Sequence, residues 1–247
     1  MRDYSHPTMD DLVRLAKSGD QAALEKLLVN VAPKVQRFGM RMCKNAPDAD
    51  DVLQDTLLTI LRHLPKFERR SSFTSWVFAL TRSACARRRR GLKNKPGMEL
   101  AEALDELSDE YREVILLRDV ESLTAPEAAE SLGISVEALK SRLHRARQAL
   151  RNTLAQVLEP TGPKASVTCP DIMELWSRKL EGDLDALDCA QMEKHLATCP
   201  ACESACSALK NALGACRRQA ARDVPVEIQE QVRAALRIWL KQPPASA

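Results

Sequence analysis

Helical periodicity runs through almost all of this 247-residue chain, and no segment shows the two-residue alternation of a half-buried strand. Residues 9–44 give two amphipathic stretches, the first ending near Ser18-Gly19-Asp20, where Asp20 is placed to cap the second. Pro47-Asp48 opens a third helix, Ala49 to His63, with Val52, Leu53, Leu57, Ile60 and Leu61 as its apolar stripe, and Pro65 stops it. A fourth runs from about Thr74 to Arg90. The composition of Gly91-Leu92-Lys93-Asn94-Lys95-Pro96-Gly97 marks a linker, set at 92–100, and Thr161-Gly162-Pro163-Lys164 marks a second, at 159–168. The pattern predicts an all-α chain of three domains, 8–91, 101–158 and 169–241.

Charge is distributed unevenly. Net charge is only +3, yet Arg69 to Lys95 carries Arg69, Arg70, Arg82, Arg87, Arg88, Arg89, Arg90, Lys93 and Lys95 without one acid. A second basic run, Lys140, Arg142, Arg145, Arg147 and Arg151, follows. Two basic stripes predict contact with a polyanion at two places, since solvated helix faces would mix their signs. No apolar run approaches the roughly 18 residues that span a bilayer, and the first residues lack the apolar core of a signal peptide. The expectation is a cytoplasmic protein with no membrane partner, its thiols kept reduced.

The middle domain has a helix-turn-helix layout between Leu123 and Leu143. Ala129 is small where two helices cross, Gly133 supplies the turn, and Ile134, Val136 and Leu139 look inward. Ser135 can cap the second helix, which is expected to present Glu137, Lys140, Ser141, Arg142, His144 and Arg145 to DNA.

Six of the eight cysteines follow residue 168: Cys169, Cys189, Cys199, Cys202, Cys206 and Cys216. His195-Leu196-Ala197-Thr198-Cys199-Pro200-Ala201-Cys202 is an H-x3-C-x2-C cluster. On a helix His195 and Cys199 share a face, and Pro200 suits the first turn of the next helix, so both sulfurs can reach one point. That spacing falls within the range of soft-metal tetrahedral sites. Three readings stay open: a structural zinc, a reversible sensor of zinc, copper or cadmium that uses the surplus thiolates, and a thiol redox switch. Cys43 and Cys85, among helical apolar residues, read as buried small hydrophobes.

Two segments of the first domain carry a family resemblance. Asp48-Ala49-Asp50-Asp51-Val52-Leu53-Gln54-Asp55-Thr56 is followed by Phe67-Glu68-Arg69-Arg70-Ser71-Ser72-Phe73-Thr74-Ser75-Trp76. Here the chain resembles sigma factors of the extracytoplasmic-function type. The resemblance implies that Asp50, Asp51, Gln54 and Asp55 dock on the clamp helices of RNA polymerase core. It also implies that Arg69, Ser71, Ser72 and Phe73 meet the promoter −10 element, with Arg87, Arg88, Arg89 and Arg90 along the DNA backbone. The middle domain resembles the −35-reading domain of the same family, through Leu139 to Arg147. Ser83 stands where the family often has asparagine. Phe73, Trp76 and Phe78 also read as core aromatics.

The tail resembles a zinc-binding anti-sigma fold, which by position implies Cys169, His195, Cys199 and Cys202 as ligands. The whole chain resembles the CorE-like group, whose own cysteine-rich tail senses metal. Cys189, Cys206 and Cys216 are expected as further ligands. The terminal helix, Val226 to Leu240, reads as packing on the tail domain. A dimeric helix-turn-helix regulator would have no use for the acidic helix. No nucleophile–base pair or phosphate-cradling loop points to an enzyme, and no small-molecule substrate is expected.

Overall fold

The structure is a computed structural model and describes residues 7–43, 46–68, 71–88, 102–157, 169–218 and 226–241. Among the described residues there is no strand. Contacts divide the chain into two compact units, Met1–Leu92 with Ala220–Ala247, and Lys93–Gln219.

The first unit holds α1 (Met9–Lys17), α2 (Gln21–Cys43), α3 (Ala46–His63), α4 (Phe73–Arg88) and α11 (Val226–Lys241). Thr8 starts α1 through a capping box: its hydroxyl accepts from the Asp11 N–H, and the Asp11 carboxylate accepts from the Thr8 N–H. Asp20 accepts from the Ala23 N–H at 3.0 Å and so opens α2. The apolar stripe of α3 closes over Leu24, Leu27, Val31 and Val35 of α2 to form the core. Pro65 ends α3 in one 3-10 turn. Ile228 and Val232 of α11 join this core, and α11 packs on α3. Cys43 and Cys85 are buried with their sulfurs 3.5 Å apart.

The second unit holds α5 (Asp109–Ile115), α6 (Ala125–Leu132), α7 (Val136–Val157), α8 (Ile172–Glu181), α9 (Ala186–Thr198) and α10 (Pro200–Arg218). A π-helical turn, Leu116–Val120, extends α5. Thr124 and Glu127 form a second capping box, with Pro126 in the first turn of α6. Gly133 ends α6 at φ +66°, a left-handed conformation that a side chain disfavours. The Ser135 hydroxyl accepts from the Ala138 N–H at 3.1 Å and starts α7. Asp171 and Asp185 cap α8 and α9, and Gly182 ends α8 at φ +75°.

These groupings differ from the three expected domains. Elements α8 and α10 pack on α7, in one unit with the helix-turn-helix, and α11 packs on α3 in the first unit. The reason lies in side chains that sequence spacing does not connect. Arg147 of α7 is 1% exposed and inserts between Asp119 and the Ser177–Glu181 face of α8.

Candidate nucleic-acid interface and metal centre

The helix-turn-helix is α6–Gly133–α7. Leu139 and Leu143 of α7 are buried, while Ser141 and Arg145 face solvent and bond each other, Arg145 Nη2 to Ser141 Oγ at 3.3 Å. Arg142 lies 3.9 Å from Glu110. Lys140 is not open: its Nζ donates to both carboxylate oxygens of Asp183, at 2.8 and 2.6 Å. Beneath it, Arg147 makes a bidentate pair with Asp119, Nε–Oδ2 3.0 Å and Nη2–Oδ1 2.6 Å. Arg147 also reaches Glu181 at 3.2 Å, and Arg118 reaches Glu181 at 2.5 Å. Two guanidinium groups and two carboxylates thus balance in a buried network, with Glu181 3% exposed at its side chain. Arg147 also stacks over Trp176, 5.7 Å from the ring centre.

In the first unit, Asp51 and Asp55 are one turn apart on α3, and Arg88 of α4 pairs with both, at 3.6 and 2.8 Å. Asp50 turns the other way and accepts from Gln36 at 3.4 Å. Ser72 caps α4, its hydroxyl accepting from the Ser75 N–H at 3.0 Å. Phe67, Phe73 and Trp76 form an aromatic cluster with ring centres 5.0 to 5.8 Å apart. Beside it lies a cavity of about 650 Å³ lined by Thr59, His63, Lys66, Phe67, Glu68, Ser71, Trp76 and Leu80.

The tail brings Cys169, His195, Cys199 and Cys202 together, their ligand atoms all within 4.8 Å of one another. His195 sits in the last turn of α9, Cys199 between α9 and α10, and Cys202 in the first turn of α10. Cys169 Sγ and Cys199 Sγ are 3.8 Å apart. A tetrahedron with metal–sulfur bonds of about 2.3 Å has edges of roughly 3.8 Å. His195 Nε2 is buried with no hydrogen-bond partner. Three sulfurs and one orphaned ring nitrogen at this separation fit a tetrahedral soft or borderline metal ion. The Cys202 backbone N–H, with the Cys202 and Cys169 thiols and the Ala201 N–H, holds the Cys199 thiol below the ordinary range. Burial, reinforced by Cys199 and Cys169, pushes the Cys202 thiol up to about 12.

Comparison with known families places these parts. The family model described as Sigma-70 region 2 matches residues 27–95, and that described as Sigma-70, region 4 matches 97–150. A zinc-finger family model matches residues 169–202. The ECF RNA polymerase sigma factor EcfG of Rhodopseudomonas palustris is 31% identical over 163 residues, 57% of this chain and 90% of that one. The chain belongs to the ECF RNA polymerase sigma factors. SigE of Mycolicibacterium smegmatis is 28% identical over 178 residues, 60% of this chain and 69% of its own. Among solved structures, CnrH in complex with the cytosolic domain of CnrY matches with a TM-score of 0.51 at 27% identity. That match covers 61% of this chain and 97% of the other. In this sigma factor α3 and α4 lie within region 2, the helix-turn-helix is region 4, and the four-ligand cluster is the zinc-finger segment.

Several expected site residues take other places. Phe73 is 2% exposed and belongs to the core, so its ring is not offered to a base; Ser71 and the half-buried Trp76 line the cavity instead. Arg88 is tied to Asp51 and Asp55, whereas Arg87 is exposed and bonds Ser83. Phe78 is a core residue packed on Phe38. His144 is half-buried: its Nδ1 is shut off from solvent, and the residue lines a cavity with Cys206. Cys189 stands apart from the four ligands, 3.7 Å from Glu193. Cys216 falls in the last turns of α10, with its side chain outside the described residues. Arg69, Arg89 and Arg90 also lie outside them. Thr59, His63, Lys66, Asp119, Glu181 and Asp183 were not legible as site residues.

Proposed function

We propose that this sigma factor directs RNA polymerase core to promoters, and that metal binding to its tail controls how the −35-reading helix is used. The observation that carries the control reading is the Lys140–Asp183 pair, because a base-facing lysine of α7 is engaged by the segment just after α8. In the promoter-binding state Lys140, Ser141, Arg142 and Arg145 face the −35 major groove, with bidentate base contacts worth about 1–3 kcal/mol each. The cavity beside Trp76 and Ser71 takes an unstacked base of the −10 element, with stacking on the indole as its main attraction. Asp51 and Asp55 offer a negative ridge to a basic helix of the polymerase clamp once Arg88 turns to phosphate.

Cys169, His195, Cys199 and Cys202 would hold the ion, which supplies a cross-link between the start of α8, the end of α9 and the start of α10. The chain's own residues do the rest: α8 carries Glu181 and presents Asp183, and these engage Arg118, Arg147 and Lys140. A change in the cross-link shifts the balance between docked and DNA-bound states by its differential affinity for the two.

In vitro transcription with core polymerase tests this, using the metal-free protein and then zinc, copper and cadmium in turn. Transcripts whose yield changes with one metal support both halves of the reading. Transcripts indifferent to metal keep the sigma activity and leave the tail a structural zinc site. No transcript under any condition overturns the sigma reading.

A further inference from the structure

Lys17, the last residue of α1, reaches across 50 positions of sequence: its Nζ donates to the Phe67 carbonyl at 2.6 Å in a part-buried bond. A lysine in the last turn of a helix ordinarily serves that helix's own orphaned carbonyls. In α1 the backbone closes the helix itself. Gly19 adopts φ +94°, its N–H donates to the Ala16 carbonyl at 3.1 Å, and the Asp20 N–H donates to the Leu15 carbonyl at 3.0 Å. The Lys17 ammonium is thus spent on a group outside α1. That group stands at the edge of the cavity beside Trp76. Phe67 ends the 3-10 turn that follows α3, at φ −69° and ψ 107°, and from its carbonyl the chain runs on to Glu68 and Ser71. Phe67, Glu68 and Ser71 all line the cavity, and the Phe67 ring lies 5.0 Å from that of Trp76. The donor has a fixed support, because Leu12, Val13 and Ala16 of α1 share one buried core with Phe67, Phe73 and Val77.

We propose that Lys17 is a positioning residue for promoter opening: its bond to the Phe67 carbonyl fixes where the chain leaves the 3-10 turn, and with it the Phe67–Trp76 wall on which a −10 base stacks. An ammonium–carbonyl bond is charge-assisted and holds its acceptor more firmly than a neutral donor does. Without it the Phe67–Glu68 peptide is free to rotate and the loop spreads over more positions. Apparent affinity for the base then falls with the fraction of chains that keep the cavity in shape. Lys17 acts through Phe67 and not on the base. The side chain is exposed, so a direct contact with DNA phosphate is the competing role, and salt dependence separates the two. The proposal rests on the reading that the cavity takes an unstacked base.

The test assembles holoenzyme from core polymerase and the full chain and follows promoter opening by permanganate footprinting. Lys17→Met keeps the apolar stem and removes the donor. It should slow opening about fivefold, the scale of one lost charge-assisted bond, with core affinity and the salt dependence of promoter binding unchanged. Lys17→Arg, which keeps a cationic donor, should restore the rate to within about twofold of the parent. In a Trp76→Ala background Lys17→Met should add almost nothing, because residues that act as one unit are not additive. Unchanged opening in Lys17→Met, or equal slowing in both backgrounds, overturns the proposal and leaves the cavity reading standing. A salt slope lowered by about one phosphate contact does the same. A loss of helicity or of core affinity in Lys17→Met also overturns it, since Lys17 then serves the fold and not the cavity. Trp76→Ala that opens promoters as fast as the parent overturns the cavity reading and the proposal with it.

Discussion

Lys140 Nζ and Asp183 Oδ2 are 2.6 Å apart, an ion pair between the DNA-reading helix and the turn that follows α8. The two side chains are 34% and 41% exposed, so solvent screens the pair and it is worth at most about 1 kcal/mol. Asp183→Asn frees Lys140 and removes one negative charge from the DNA-facing side. A two- to fivefold tighter association with duplex DNA at low salt is expected, and fluorescence anisotropy measures it. The gain should shrink as salt rises.

The network beneath that pair is of another order. Arg118, Arg147, Asp119 and Glu181 are all largely buried, so removing one partner strands a charge away from water. Glu181→Ala should destabilise the second unit by about 3–5 kcal/mol. Glu193→Ala, which removes only exposed contacts with Lys179 and Cys189, should cost far less. Chemical denaturation of the two variants side by side provides the comparison, and equal losses would contradict the buried reading of Glu181.

Phe73 and Trp76 should separate stability from promoter opening. Phe73→Ala removes a core ring and should cost about 3–5 kcal/mol. Trp76 lines the cavity beside Ser71, so Trp76→Ala should slow formation of the open promoter complex more than it lowers the melting temperature. Permanganate footprinting and calorimetry read the two effects.

In the metal-free protein the cysteines of the cluster should differ in reactivity. The Cys199 thiol sits below the ordinary range and holds more thiolate near neutral pH, whereas Cys202, pushed up to about 12, stays protonated. Alkylation at pH 7 followed by peptide mapping should label Cys199 first and Cys202 last. Metal binding must displace the Cys202 proton, so affinity should fall as pH falls, by about tenfold per unit for each proton displaced. Chelation should also loosen α9 and α10, seen as faster amide exchange around His195.

Much of this was legible in the chain because the signals are local. Gly133 and Ser135 mark a helix-turn-helix through one left-handed residue and one cap, side by side in the chain. His195, Cys199 and Cys202 are close in sequence, and a helix end followed by Pro200 brings them together. Cys169 was reached only through a family resemblance, because the long stretch between it and His195 could place it anywhere. His144 shows the limit of periodicity: helical spacing puts it beside Arg145 and Lys140, but whether that edge of α7 meets water or protein depends on what packs there.

The helices, their caps and turns, the helix-turn-helix and the H-x3-C-x2-C half of the metal centre follow from the order of residues alone, since each is a matter of neighbours within one or two turns. Other outcomes took shape only when the helices packed: Asp183 engages Lys140, Glu181 is buried between Arg118 and Arg147, Phe73 belongs to the core, and α11 packs on α3. Those outcomes depend on which surfaces exclude water against each other. Burial, not spacing along the chain, sets the strength and the partner of a charge or a ring.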